Sequence, residues 1–118
     1  MFDEVLKTVL GEVEGAQCVL LASLDGMVVA KAVALDGPAP DVIAASLADL
    51  FRRVASAHRD AGLVPPTEFT SGGPSGQAAL REVTAQYLLI AVLDGIGSLG
   101  RTRFELRKAA AALEPELV

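Results

Sequence analysis

The chain has 118 residues, 52% of them apolar but only 4% aromatic, and it carries a formal net charge of −5. This length predicts one domain whose core, built mainly from Leu, Val and Ala, requires neither disulfides nor a structural metal. The acidic balance argues against nucleic acid or an anionic membrane surface as the main partner.

Targeting and redox signals are equally sparse. The first turn is acidic, and no apolar run approaches the roughly 18 residues of a membrane span. We therefore expect a cytoplasmic protein without a signal peptide or membrane insertion. The one cysteine, Cys18, permits no internal disulfide. Because it lies within an apolar run, we expect a core residue rather than a reactive thiol.

Hydrophobic period and turn residues together predict eight elements. Asp25-Gly26 between two apolar runs is typical of a hairpin turn, whereas the Gly and Pro residues of Ala34–Pro40 indicate a loop. Gly62 is positioned to end a long helix. In chain order we predict a helix at Phe2–Val13, strands at Cys18–Ala22 and Met27–Val33, a helix at Asp41–Ala61, strands at Thr67–Thr70, Gln77–Val83 and Tyr87–Leu93, and a helix from the Gly95–Gly100 loop to Leu113.

The order of these elements defines a fold class. Short links between consecutive strands predict a mostly antiparallel sheet. The two strands that are apolar throughout, Cys18–Ala22 and Tyr87–Leu93, should be central, because only a central strand is covered on both faces. Such cover requires helices on both sides of the sheet. We therefore predict an α+β fold over residues 1–118, a three-layer α/β/α sandwich around a five-stranded, mostly antiparallel sheet.

The last helix is amphipathic. Apolar residues recur on one side of it from Leu99 to Leu117, so this side should lie back on the sheet. Arg101, Glu105 and Lys108 are predicted to face away from the sheet into solvent.

Three features are candidate sites of chemistry. Gly95–Gly100 matches the GxGxxG dinucleotide fingerprint, but the chain ends before a second parallel strand with its acidic residue could follow. We interpret these glycines as a tight strand-to-helix connection and expect no nucleotide or other cofactor. His58 is the only histidine and gives no metal cluster, and a Cys18–His58 catalytic pair would require an exposed thiol. We expect no enzymatic activity.

The second helix has an apolar arc that covers about half its circumference, wider than packing on one sheet requires. We divide the arc into two stripes. The large-residue stripe, predicted to face the core, comprises Ile43, Leu47, Leu50, Val54, Ala57 and Ala61. The alanine seam, predicted to be exposed, comprises Ala44, Ala48, Phe51 and Ala55. Alanine is tolerated on a helix surface for its propensity alone, but a seam of small residues around one Phe favours close packing against a helix of another molecule.

Three sequence segments carry a family resemblance. The hairpin LLASLDGMVVA, the strand YLLIAVLD and the helix opening LGRTRFELRKAA, in this order of elements, resemble the roadblock (dynein light-chain-type) domain over nearly the whole chain. The resemblance implies five antiparallel strands, with the second helix on one face and the first and last helices on the other. It also implies homodimers that join third-strand edges and pair second helices. That arrangement would place Thr67 and Phe69 at the joining edge and the alanine seam at the helix pair.

The resemblance also implies a function. Roadblock domains commonly act as non-catalytic dimeric platforms or regulators for Ras-like small GTPases, including bacterial ones in polarity, motility and signalling. Arg52, Arg53 and Arg59 on the second helix are candidates for partner contact, although such residues also serve solubility. One alternative is a structural adaptor that assembles a complex without a GTPase. An enzyme with a small-molecule pocket is the other alternative, which the missing catalytic constellation disfavours.

Overall fold

The computed structural model describes residues 1–34 and 36–117. The predicted order and type of the elements are confirmed. In chain order they are α1 (Phe2–Glu12), β1 (Ala16–Ser23), β2 (Val28–Val33), α2 (Pro40–Asp60), β3 (Glu68–Gly73), β4 (Gly76–Thr84), β5 (Tyr87–Leu93) and α3 (Leu99–Leu113), followed by a 3-10 turn at Glu114–Glu116. None of the helices described is long and apolar enough to cross a membrane.

The five strands form one antiparallel sheet in the order β2-β1-β5-β4-β3. The apolar strand β5 is its centre and the apolar strand β1 lies directly beside it, as predicted. Both are covered on two faces, which explains why neither shows the polar alternation of a strand with one solvated face. β2 and β3 are the two edges.

The third strand is longer than predicted. We expected a strand at Thr67–Thr70 and a flexible turn over Ser71–Gly76, because three of those six residues are Gly. Instead the pairing with β4 continues to Gly73↔Gly76, so that only Pro74 and Ser75 form the turn. Thr67 lies just before the strand, where its carbonyl oxygen accepts a hydrogen bond of 2.9 Å from the backbone of Glu82.

Helices cover both faces of the sheet, with α1 and α3 together on one face and α2 on the other. α1 lies over β1 and β2, α3 lies over β4 and β5, and α2 lies over β1, β2 and β5. Two core clusters result, separated by the sheet. The cluster beneath α2 contains Cys18, Leu20, Ala22, Ala44, Ala48, Phe51, Ala78, Leu80, Leu88 and Ile90.

The rotation of α2 about its axis contradicts the prediction. Ala44 and Ala48 are fully buried and Phe51 is 3% exposed, all three against the sheet of their own chain. The prediction of an exposed alanine seam at a helix pair is therefore wrong for these three residues, and Ala55 is half-buried. The physical reason is that small side chains permit close approach of a helix to a sheet as well as to another helix. Phe51 then fills the remaining space.

Glu105 on α3 is a second correction, since it was predicted to face solvent and is 2% exposed. Its flank of α3 is covered because α1 packs alongside. Two half-exposed cations compensate its charge: Arg101 lies 3.2 Å and Lys108 lies 3.6 Å from its oxygens. Arg101 also forms an ion pair of 3.2 Å with Glu12, so that one guanidinium joins α1 to α3.

Candidate interaction surface on α2 and β3

On the sheet face that α2 covers, no helix of the part of the chain that the structure describes lies over the half formed by β4 and β3. The opposite face is covered by two helices, but α2 alone serves this face and its main contacts are with β1, β2 and β5. On the α2 face, the β4–β3 half of the sheet is therefore shielded from solvent only by the side chains of β3 and β4. Phe69 of β3 lies there, half-buried beside Leu80, its cross-strand neighbour on β4.

The large-residue stripe faces this bare half rather than the core. Ile43 and Leu47 pack only partly against the buried cluster, and Leu50 and Val54 are half-buried without belonging to it. A cleft of about 320 Å³ separates the stripe from the sheet, lined by Ile43 and Leu47 on one side and by Ala78 and Val92 on the other. Helix flank and sheet thus form two walls of an apolar groove.

The sequence pattern identified both stripes of α2, but it assigned the core-facing side to the large-residue stripe instead of the alanine seam. Both stripes are apolar and helically spaced, so the hydrophobic period alone does not rank them. One signal pointed the other way: on the face toward α2, β1 carries the small residues Cys18 and Ala22, a surface that a helix can approach closely. Alanines at Ala44 and Ala48 suit such close packing, whereas Leu47 and Leu50 would hold the helix further out.

The two sheet edges differ in their protection against strand pairing. Natural edge strands carry charges, prolines or bulges that prevent the addition of another strand. β3 has none of these from Phe69 to Gly73, and its one acidic residue, Glu68, is occupied by ion pairs with Arg81 and Arg103. β2, by contrast, carries Lys31 in its middle and an irregular register next to Val29. β3 is therefore the unprotected edge of this sheet.

The three arginines proposed for partner contact have different surroundings. Arg52 donates a hydrogen bond to the carbonyl oxygen of Leu24 and lies 3.1 Å from Asp49, so it joins α2 to the β1–β2 turn. Arg53 also pairs with Asp49, at 2.9 Å. Arg59 is exposed and lines a cleft of about 330 Å³ at the C-terminal half of α2.

The glycine loop is explained by packing. A Cβ at Gly95 would overlap the carbonyl oxygen of Pro74, and a Cβ at Gly97 would overlap the side chain of Leu93. The side chain of Gln77 donates hydrogen bonds to the carbonyl oxygens of Asp94, at 3.2 Å, and Gly97, at 2.6 Å. The loop is thus held against the β3–β4 turn, as a tight strand-to-helix connection requires.

The remaining sequence candidates lie apart from this surface. Cys18 is fully buried beneath α2, and burial raises the pKa of its thiol to about 11, which disfavours the reactive thiolate. This confirms its prediction as a core residue. Nδ1 of His58 donates a hydrogen bond of 3.2 Å to the carbonyl oxygen of Val64. Within residues 1–34 and 36–117, no cluster of His, Cys, Asp and Glu has the arrangement of a metal site.

Comparisons with known proteins bear on the fold. No family model matches the sequence, and no curated protein matches it. Among solved structures, one described as MglB with a tetrameric arrangement is 27% identical, with a TM-score of 0.88 over 97% of this chain and 85% of that chain. The gliding protein MglB from Thermus thermophilus is 26% identical, with a TM-score of 0.85 over 97% and 86%. A Roadblock/LC7 domain from Streptomyces avermitilis shares the fold at 19% identity, with a TM-score of 0.84 over 98% and 96%.

These matches agree with the fold derived from the residues. The five-stranded antiparallel sheet, with α2 on one face and α1 and α3 on the other, is the arrangement that the roadblock resemblance implies. The matches span nearly the whole chain, so no element of the fold falls outside them. The chain has the roadblock fold and is similar over nearly its whole length to MglB structures that are 26% and 27% identical to it.

Proposed function

We propose that this chain is a non-catalytic homodimeric regulator of a Ras-like small GTPase. The observation that carries the dimer is the bare half of the sheet face beneath α2, bordered by the unprotected edge β3. The GTPase is what the roadblock resemblance implies, and the similarity to MglB structures, one of which is described as a gliding protein, supports it.

A two-fold axis at the β3 edge satisfies both features at once. Two β3 strands that pair across the axis extend the sheet and saturate the backbone groups of both edges. The same axis brings the two α2 helices toward each other above the paired β3 strands, because in a two-fold interface each patch meets its own copy. The large-residue stripes of the two helices then face each other, and Phe69 lies beneath them.

The dimer is tested by placing a charge on the large-residue stripe. Leu50 is half-buried and lies outside the core cluster, so Leu50→Glu should leave the fold intact. In the dimer it buries an unpaired carboxylate near its own copy, which costs several kcal/mol. We expect sedimentation velocity to show a native dimer and a monomeric Leu50→Glu variant with an unchanged circular dichroism spectrum.

The matched control for this test is Ala45→Glu, an exposed position of the same helix on the flank near Gly26. This variant should remain dimeric. A native protein that is monomeric at all concentrations contradicts the proposal. A dimer that survives both Leu50→Glu and Leu47→Glu moves the interface away from α2.

The regulatory role concerns the GTPase's own catalytic machinery. Arg52 is held by Leu24 and Asp49, and Arg53 is held by Asp49, so neither is a free arginine finger. A dimeric platform would instead act by repositioning switch segments of the GTPase. The test is to measure nucleotide hydrolysis and exchange by a Ras-like GTPase of the same organism, with the native protein and with Leu50→Glu at saturating concentration.

The outcomes separate three functions. A change in either rate that requires the dimer supports the regulator. If the GTPase binds but both rates stay the same, the chain is a scaffold for it. If no GTPase binds while the dimer persists, the chain is a structural adaptor that assembles a complex without a GTPase.

A further inference from the structure

The β2 edge differs from the β3 edge in a way that bears on assembly. A sheet that grows through β3 still exposes a β2 strand at each end, and exposed edges template further strand pairing. Three exposed apolar residues lie on or beside this strand: Met27, Val29 and Val33 are 67%, 42% and 37% exposed. Among the described residues, β2 forms a strand ladder with β1 alone. Its composition therefore favours association unless something opposes it.

Lys31 opposes association by geometry. Side chains directly opposite each other in an antiparallel pair lie on the same face of the sheet, with Cβ atoms about 5 Å apart. A two-fold axis through Ala30 or Ala32 leaves the two Lys31 side chains as diagonal neighbours, about 7–8 Å apart. With the axis through Lys31 itself, Val29 meets Val33, Ala30 meets Ala32, and Lys31 meets Lys31. Two ammonium groups then lie side by side in the centre of the new interface. Like charges directly opposite each other destabilise a strand pair.

A β-bulge near the start of β2 is a second obstacle to strand pairing. The register with β1 passes from Leu21↔Ala30 to Ala22↔Val28, so Val29 is an extra residue without a partner. A bulge bends its strand and interrupts the regular ladder, and bulges are a recurrent means of protecting edge strands. Only the stretch from Ala30 to Val33 remains regular, and Lys31 lies within it.

We propose that Lys31, supported by the bulge at Val29, limits assembly by blocking strand pairing at the β2 edge. Of the two sheet edges, β2 is thus the one that rejects a second copy. The partner excluded here is a second copy of the chain, whether the native unit is a dimer or a monomer. The proposal does not rest on the proposed function, since the charge acts on β2 in either case.

The experiment removes the charge at Lys31 and keeps the strand. Lys31→Val and Lys31→Thr both place good strand formers at this exposed position. We expect sedimentation velocity to show a rising weight-average mass as protein concentration increases, passing through about twice the native value as two units join. Amide hydrogen exchange should slow at Val28–Val33 in the enlarged species.

Three control variants test whether the effect depends on charge at position 31. Lys31→Arg and Lys31→Glu retain a like-charge pair across the axis and should keep the native mass. Lys7→Val makes the same change of charge at an exposed position of α1 and should also keep it. Native mass in both Lys31→Val and Lys31→Thr overturns the proposal. So does equal growth in all four Lys31 variants, or growth in Lys7→Val, because the effect would not then depend on charge at β2.

Discussion

Replacement of Ala48 by Glu distinguishes the observed rotation of α2 from the rotation predicted by its sequence. Ala48 is fully buried between α2 and the sheet. Its surroundings are apolar side chains of the cluster that includes Leu20, Leu80 and Ile90. A carboxylate there would have no cation or hydrogen-bond donor among those neighbours.

The magnitude of the effect follows from burial. An unpaired carboxyl group in an apolar core costs several kcal/mol, and the larger side chain adds about 1–3 kcal/mol of overpacking. A loss of about 4 kcal/mol is thus a lower expectation for Ala48→Glu. For a chain of this size, it lowers Tm by about 15 °C. The loss is also a large part of the roughly 5–15 kcal/mol that stabilises a typical domain.

The assay is thermal and urea unfolding followed by circular dichroism, with Ala45→Glu as the matched control. Ala45 is exposed on the same helix, so its variant should lie within about 0.5 kcal/mol of the native protein. The opposite result would refute the reasoning. If Ala48→Glu retains the native Tm and instead loses its dimer, the alanine seam is exposed and α2 is rotated as the sequence pattern first indicated.

Three further predictions concern other parts of the fold. Gly97→Ala should lower the free energy of unfolding in urea by about 1–3 kcal/mol, since its Cβ would overlap Leu93 and lie 3.0 Å from the carbonyl oxygen of Glu14. Gly100→Ala is the control: its Cβ would have its nearest neighbour at 3.9 Å, so the free energy of unfolding should rise by up to about 1 kcal/mol. Equal effects of the two substitutions would contradict the packing argument. The raised pKa of Cys18, about 11, leaves the native thiol protonated while the unfolded thiol ionises above about pH 9. Stability should therefore fall by about 1.4 kcal/mol per pH unit between about pH 9 and 11, a slope that unfolding titrations of Cys18→Ala should lack. Arg101→Gln should cost about 1–3 kcal/mol because it removes a partner of the buried Glu105, whereas Arg107→Gln on the exposed face should be nearly neutral in the same measurement.

The sequence determined the elements and their order. Continuous apolar runs identified β1 and β5 as neighbours at the centre of the sheet, because a strand covered on both faces has no polar alternation. Asp25-Gly26 marked the first hairpin. The glycine loop was predicted to be a tight strand-to-helix connection, and the close packing of Gly95 and Gly97 agrees with that prediction. Local pattern sufficed in these cases because each feature depends on neighbours close in sequence or on burial of a whole strand.

Tertiary structure decided which side of each helix is buried. On α2 two apolar stripes competed, and the sheet selected Ala44, Ala48 and Phe51 because the close approach of helix to sheet leaves room for small residues around one large one. On α3 the burial of Glu105 depends on α1, a helix far away in sequence that covers its flank. Helical period fixes the angle between residues around an axis. It does not fix how that axis is turned toward its neighbours, which packing across the whole chain decides.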